Sequence, residues 1–227
     1  MTVNEKIAAL RGEMAKANVD ALVIPTSDPH MSEYIPEAWK ARKEFSGFTG
    51  SAGTLVVTTE ESGLWTDGRY FIQAEGQLSG SEVKLFRMRE KGVPTVEEYL
   101  ADTQAGKTVA VDGAIYPAAS GLLLQEKLEK VGASLVSEDL VMPVWENRPE
   151  LPHTPAYVLN VKYAGLSPKE KLQQVREKLA EKDADAQLYS TVDCANWLSN
   201  VRASDIAYNP FATSNCSTMR RSTSSRA

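Results

Sequence analysis

Residues 5–28 align with residues 170–193 over 24 positions, at a constant offset of 165 and without a gap. Eight pairs are identical: Glu5, Lys6, Arg11, Ala15, Asp20, Ala21, Thr26 and Asp28 meet Glu170, Lys171, Arg176, Ala180, Asp185, Ala186, Thr191 and Asp193. Apolar positions also match by type, as in Ile7 with Leu172, Leu10 with Val175 and Met14 with Leu179. These residues recur at helical spacing and sit on one face of a helix. A short strand follows each helix, at 20–24 and at 186–191. A lone helix–strand unit cannot bury its apolar side, so each copy must belong to a larger layered domain. The repeat therefore predicts two domains of similar α/β fold.

The stretch between the copies supports the division. After the first helix and strand, the chain alternates: a polar helix over 37–43, a glycine-rich loop over 46–53, and strands over 54–59 and 63–66. A helix is predicted from the N-cap residue Asp67, then a strand over 83–88. Thr95 with Glu98 forms a capping box that opens a further helix. A strand over 107–112, a helix over 117–130 and a strand over 134–138 complete the first domain. The expected architecture is a mixed sheet flanked by helices, occupying residues 1–142. Pro143, Pro149, Pro152 and Pro155 then mark an extended linker over 143–157, because proline fixes φ and removes an amide donor. Ser167, Pro168 and Glu170 give a strong helix start for a second domain over 158–211.

That second copy is expected to be incomplete. The first copy continues for about 115 residues beyond Asp28, the second for 34 beyond Asp193. Residues 212–227 include eight Ser or Thr and three Arg and almost nothing apolar. Such a segment buries too little surface to offset its ordering entropy, and it is expected to be disordered.

Composition excludes several function classes. The net charge of −5 creates no field that favours nucleic acid or an anionic membrane. The apolar runs are far shorter than the roughly 18–20 residues that span a bilayer. Cys194 and Cys216 form neither a disulfide framework nor a zinc spacing, and a cytoplasmic location is expected. The only histidines, His30 and His153, have no nearby Cys or His. A metal site needs three or four convergent ligands, so no metal, no cofactor and no catalytic residue is assigned to this chain.

Five motifs in order carry a resemblance. They are IPTSDPHMSEYI at 24–35, FSGFTGSAG at 45–53, WTDGRYF at 65–71, VWENRP at 144–149 and TVDCANWLSNVRASDIAYNP at 191–210. Together they resemble the N-terminal part of three-domain, cytosolic-type Xaa-Pro aminopeptidases, the aminopeptidase P group, over residues 3–211. The resemblance implies a creatinase N-terminal fold repeated twice, ahead of a catalytic domain that holds two divalent ions, commonly manganese. In that family the metal pair activates a water against the bond before proline. The implied activity is removal of an N-terminal residue that precedes proline. This chain is expected to lack the metal ligands and to be inactive alone. The resemblance also implies a role for Arg69, in contacting bound peptide at the edge of the active cleft of the intact enzyme.

Other residues read more plainly. Residues 46–53 could cradle a phosphate, but no Lys-Ser/Thr follows Gly53 and the next element is a strand, so a packing turn is expected. His30 is expected to make a loop hydrogen bond near Asp28, and His153 to be solvated. Cys194 is expected to be a buried small side chain, and Asp193 an N-cap. A second function class stays open: a non-enzymatic interaction module that binds a full-length relative, or another copy of itself, through the unfinished second sheet.

Overall fold

The computed structural model describes residues 1–213 and 217–220. The chain divides into two compact units, one built from Met1–Glu33 and Glu37–Glu150, the other from Tyr34–Pro36 and the described residues after 150.

The first unit opens with helix α1 (Val3–Ala17), for which Thr2 supplies the cap and Glu5 the reciprocal bond. Asn18 closes the helix in the left-handed conformation, with φ of 55°. Strand β1 (Ala21–Pro25) follows, then a single 3-10 turn (Glu37–Trp39) and helix α2 (Ala41–Ser46). The expected helix over 37–43 is thus broken at Lys40, whose backbone is non-helical (φ −83°, ψ 41°). Next come β2 (Thr54–Thr58), β3 (Ser62–Thr66), α3 (Phe71–Leu78), β4 (Val83–Arg87), α4 (Val96–Thr103), β5 (Thr108–Val111), α5 (Ala118–Glu129) and β6 (Ser134–Ser137). The helix expected from Asp67 begins at Phe71 instead, because Asp67 caps a turn: the Tyr70 amide donates to the Asp67 carbonyl.

The six strands form one mixed sheet in the order β4-β3-β2-β1-β5-β6. β1, β2 and β3 run antiparallel in succession, while β3–β4, β1–β5 and β5–β6 are parallel pairs. β1 lies centrally and is covered on both faces, which is why its sequence is continuously apolar rather than alternating. On one face Leu22 and Ile24 pack with Ile7, Leu10 and Met14 of α1, Phe45 of α2 and Ala74 and Leu78 of α3. On the other, Ala21 and Val23 pack with Tyr99 and Leu100 of α4 and Leu124 and Leu128 of α5. The fold is therefore the predicted α/β architecture, a mixed sheet between two helical layers.

In the second unit β7 (Tyr157–Val158) pairs antiparallel with β9 (Val201–Arg202). Between them lie α6 (Val161–Ala164), α7 (Pro168–Glu181), β8 (Ala186–Tyr189) and α8 (Val192–Ser199). Ser167 and Glu170 close the same reciprocal cap on α7 that Thr2 and Glu5 close on α1. Among the described residues, Ile35, Leu179, Val192, Ala195, Leu198, Ala203 and Ile206 are the buried apolar residues of this unit.

Three expectations need correction here. Within the tail expected to be disordered, Ser217–Arg220 form β10, antiparallel to β8. Strand pairing satisfies backbone groups whatever the side-chain composition, so composition alone could not reveal it. The rest of that expectation falls on 214–216 and 221–227, outside the described residues. Cys194 is exposed, because α8 buries the face carrying Val192, Ala195 and Leu198. Thr191, not Asp193, occupies the cap position of α8.

Candidate functional site

The strand β3 ends at Thr66, and the next four residues turn before α3 begins. Arg69 lies in this turn and is held by Asp67 through a two-pronged contact. Its Nε donates to Oδ1 and its Nη2 to Oδ2, both at 2.8 Å, while its amide donates to Oδ1 at 3.1 Å. The planar guanidinium matches the carboxylate edge, which fixes orientation as well as charge. Yet the Arg69 side chain is 68% exposed. The hydrogen bonds from Arg69 hold the Asp67 carboxyl down at about 2, and Asp67 in turn raises the Arg69 guanidinium. Glu33, from the loop after β1, adds negative charge in the same direction. The guanidinium sits 5.2 Å from the centre of the Tyr70 ring. This leaves a preorganised, solvent-facing cation on a rigid turn, able to meet a carboxylate or carbonyl of a ligand.

The glycine-rich loop at 46–53 buttresses that turn. The Tyr70 hydroxyl lies 2.7 Å from Ser51 Oγ, and Thr66 Oγ1 donates to the Ala52 carbonyl at 2.7 Å. A Cβ at Gly50 would come within 2.2 Å of the Phe48 ring and 2.8 Å of the Tyr70 ring. Glycine is required there for close approach, not for anion binding.

Arg42 explains the loop's shape, and the sequence reading missed it. It is buried on α2, with Nε donating to Thr26 Oγ1 at 2.9 Å and its two terminal nitrogens donating to the carbonyls of Phe48 and Gly50. Burial pushes its guanidinium down to about 10. Here carbonyls converge on a cation, whereas a phosphate cradle points amides at an anion. Nucleotide binding by this loop is therefore inconsistent with its geometry. The available signal was the placement of Arg42 between Ala41 and Phe45 on the buried face of α2.

Asp28 and His30 meet in the loop after β1. Asp28 is buried and its Oδ1 accepts the amides of His30, at 3.1 Å, and Ser32, at 2.9 Å. Its Oδ2 lies 3.6 Å from His30 Nδ1. This is a self-bonded turn rather than an acid–base pair facing a cleft. A small cavity of about 20 Å³ lies at the carboxyl ends of β1, β5 and β6, lined in part by Asp112, Asp139 and Arg148. That volume suits a single water. Burial pushes the Asp112 carboxyl up. Among the described residues, no group of three or more His, Cys, Asp or Glu side chains could hold a metal ion. The donor set for a metal pair is not present among them, and no reaction step through a metal follows from these residues.

A mixed α/β sheet domain with a turn-mounted arginine and a glycine loop built for packing defines the class. The family profile described as the Creatinase/Prolidase N-terminal domain matches residues 6–142, and a second profile of the same description matches 147–224. The chain belongs to the creatinase/prolidase N-terminal domain family. A probable Xaa-Pro aminopeptidase P of Sordaria macrospora is 44% identical over 217 residues, covering 92% of this chain and 35% of that protein. Aminopeptidase P2 of Arabidopsis thaliana is 39% identical, covering 92% of this chain and 30% of that protein. The crystal structure of an X-prolyl aminopeptidase from Caenorhabditis elegans, described as a cytosolic enzyme with a di-nuclear active site, superposes with a TM-score of 0.90 at 35% identity. It covers 98% of this chain and 38% of that one. The chain thus spans about a third of the length of these relatives.

Proposed function

We propose that this chain is the non-metal-binding N-terminal part of a cytoplasmic Xaa-Pro aminopeptidase, inactive by itself. The observation that carries the reading is the near-complete overlap of this chain with 38% of an X-prolyl aminopeptidase, combined with the lack of a convergent ligand set among the described residues. On this reading two divalent ions, manganese or another metal, are held by the part of the enzyme that the relatives carry beyond the matched third. The substrate is a peptide with proline in second position. Residues 1–142 and 158–211 are two domains of one fold, joined by the proline-rich stretch over 143–157.

Arg69 is the residue through which this part reaches the substrate. Its guanidinium is oriented by Asp67 and remains open to solvent, so it can engage a peptide carbonyl or carboxylate without rearrangement. The test is a chimera in which this chain replaces the corresponding third of the Sordaria macrospora relative. The chimera should hydrolyse a Xaa-Pro peptide, and Arg69→Ala within it should lower kcat/KM about tenfold or more. A folded but inactive chimera would refute the functional reading. An unaffected Arg69→Ala chimera would refute the role of Arg69.

A further inference from the structure

Strands β3 and β4 run parallel with Thr66 opposite Arg87, so the turns that leave their carboxyl ends begin side by side. The Met88 amide donates to the Thr66 carbonyl at 2.9 Å and ties the two turns together. One turn carries Asp67 and Arg69, the other Arg89. Three arginines share this end of the sheet, and they differ in what holds them. Arg87 pairs with Glu75 at 3.2 Å and lies 5.4 Å from the centre of the Phe71 ring. Arg69 gives Nε and Nη2 to Asp67, which leaves its Nη1 without an acceptor among the described residues. Arg89 is exposed, and among the described residues its side chain has no hydrogen bond or ion pair. Yet its backbone is left-handed, with φ of 69°. A Cβ is disfavoured there, and arginine lacks the short polar group that lets Asn or Asp tolerate it. Glycine would suit that backbone better, as it does at Gly92, with φ of 83°, three residues on. A strained residue whose side chain the fold does not use points to a use outside the fold.

We infer that Arg69 and Arg89 together receive a carboxylate of the peptide substrate, and that Arg89 sets a preference for peptides that carry one. The inference rests on the functional reading above and deepens it. A carboxylate can accept from Nη1 of Arg69 and from the Arg89 guanidinium at once. Asp67 and Glu33 set negative charge around Arg69, which by itself disfavours an incoming carboxylate. Arg89 offsets part of it: the Asp67 carboxyl is lowered first by the hydrogen bonds from Arg69, and the charge of Arg89 reaches it as well. A neutral carbonyl would need Arg69 alone, whereas a second cation favours an anion. In a Xaa-Pro peptide that anion is either the free carboxyl terminus of a short peptide or the side chain of an acidic residue. Both present the same chemistry to the two arginines.

The chimera of this chain with the Sordaria macrospora relative tests the inference on two substrate pairs at low salt. One pair is a tripeptide with proline second, as the free acid and as the amide. The other is an amidated tetrapeptide with glutamate or glutamine after the proline. The unsubstituted chimera should prefer the charged member of at least one pair. Arg89→Gly relieves the left-handed backbone, so a loss with this variant does not arise from a distorted turn. It should lower the charged-over-neutral ratio of kcat/KM about threefold to fivefold, mainly through KM, and the loss should shrink at high salt. Arg89→Lys keeps the charge and should retain most of the preference. A loss confined to the first pair assigns the carboxyl terminus, and a loss confined to the second assigns the acidic side chain. No preference in the unsubstituted chimera, or ratios indifferent to Arg89→Gly in both pairs, would overturn the inference while leaving the functional reading intact. An inactive chimera would remove the functional reading, and the isolated 227-residue chain then decides. Millimolar free-acid tripeptide should shift the Nε–H resonances of Arg69 and Arg89 and its amide should not; an equal response to both, or none, would overturn the inference.

Discussion

The ammonium of Lys171 donates to the carbonyl of Trp197 at 2.7 Å, three residues before α8 closes on the left-handed Asn200. The repeat places Lys6 at the same point in the first unit, and Lys6 donates to the carbonyl of Glu44 at 3.2 Å, three residues before α2 closes on the left-handed Gly47. In both units a lysine from the repeated helix thus donates to a carbonyl in the last turn of a following helix, where the helix dipole favours a cation. Ser46 and Ser199 repeat one another too, each donating to the carbonyl four residues earlier and accepting the amide two residues later. The two units share local hydrogen bonding as well as sequence.

Lys171 is almost fully buried, and burial lowers its pKa. It also donates to Asn200 Oδ1 and lies 4.4 Å from the centre of the Trp197 ring. Lys171→Met should keep the packing of the stem but strand the Asn200 amide oxygen and leave the Trp197 carbonyl with only the Asn200 amide, at 3.4 Å. The expected cost is about 1–3 kcal/mol in the second unit, read from urea unfolding followed by Trp197 fluorescence. An unchanged midpoint would show that the latch is not needed.

Arg42→Ala should destabilise the first unit by about 3 kcal/mol, because the carbonyls of Phe48 and Gly50 lose their donors in a buried loop. Arg42→Lys should recover only part of this, since one ammonium cannot reproduce a planar fork that reaches three acceptors. Equal stability of the lysine and wild-type proteins would contradict the geometry.

The Asp67–Arg69 pair makes a pH prediction. The folded value of Asp67 lies near 2, below the ordinary 3.8. Its contribution is therefore complete above the ordinary value and is lost as pH falls through about 2. The pair is solvent-facing, so its effect on stability is small and salt-screened. The direct readout is the Arg69 Nε–H resonance, which should titrate near pH 2. A midpoint near 3.8 would mean that the forked contact does not persist in solution.

Asp112 has the opposite sign. Burial, with help from the Asp139 charge, raises its carboxyl pKa, so the ionised form is penalised in the folded state at neutral pH. Asp112→Asn keeps an oxygen for the Ala114 amide, which Oδ1 accepts at 2.9 Å. It should raise the melting temperature at pH 7, and the gain should shrink as pH falls through the raised folded value toward the ordinary one. A lower melting temperature at pH 7 would show that the negative charge is stabilising there.

Much of this was legible in the sequence because the decisive interactions are local. Thr2 with Glu5, Thr95 with Glu98 and Ser167 with Glu170 announce helix starts through residues three apart. β1 reads as a buried strand because both its faces are covered. Asp67 misled because the same side chain caps a helix or closes a turn, and only the later backbone decides between them. Arg42 was invisible because two of its three partners are main-chain carbonyls, six and eight residues away. Cys194 was misplaced because α8 buries the face carrying Val192, Ala195 and Leu198, and Cys194 lies off that face. The role proposed for Arg69 rests on the motif around it, since a paired, exposed arginine carries no such signal by itself.

The central claim is that these residues orient substrate for a metal centre they do not themselves build. Its most direct test is incubation of the purified 227-residue chain with a Xaa-Pro peptide and manganese, with metal binding followed by calorimetry in the same preparation. The account predicts no release of the N-terminal residue and no tight binding of the ion. Metal-dependent release, or two manganese ions held tightly, would contradict it.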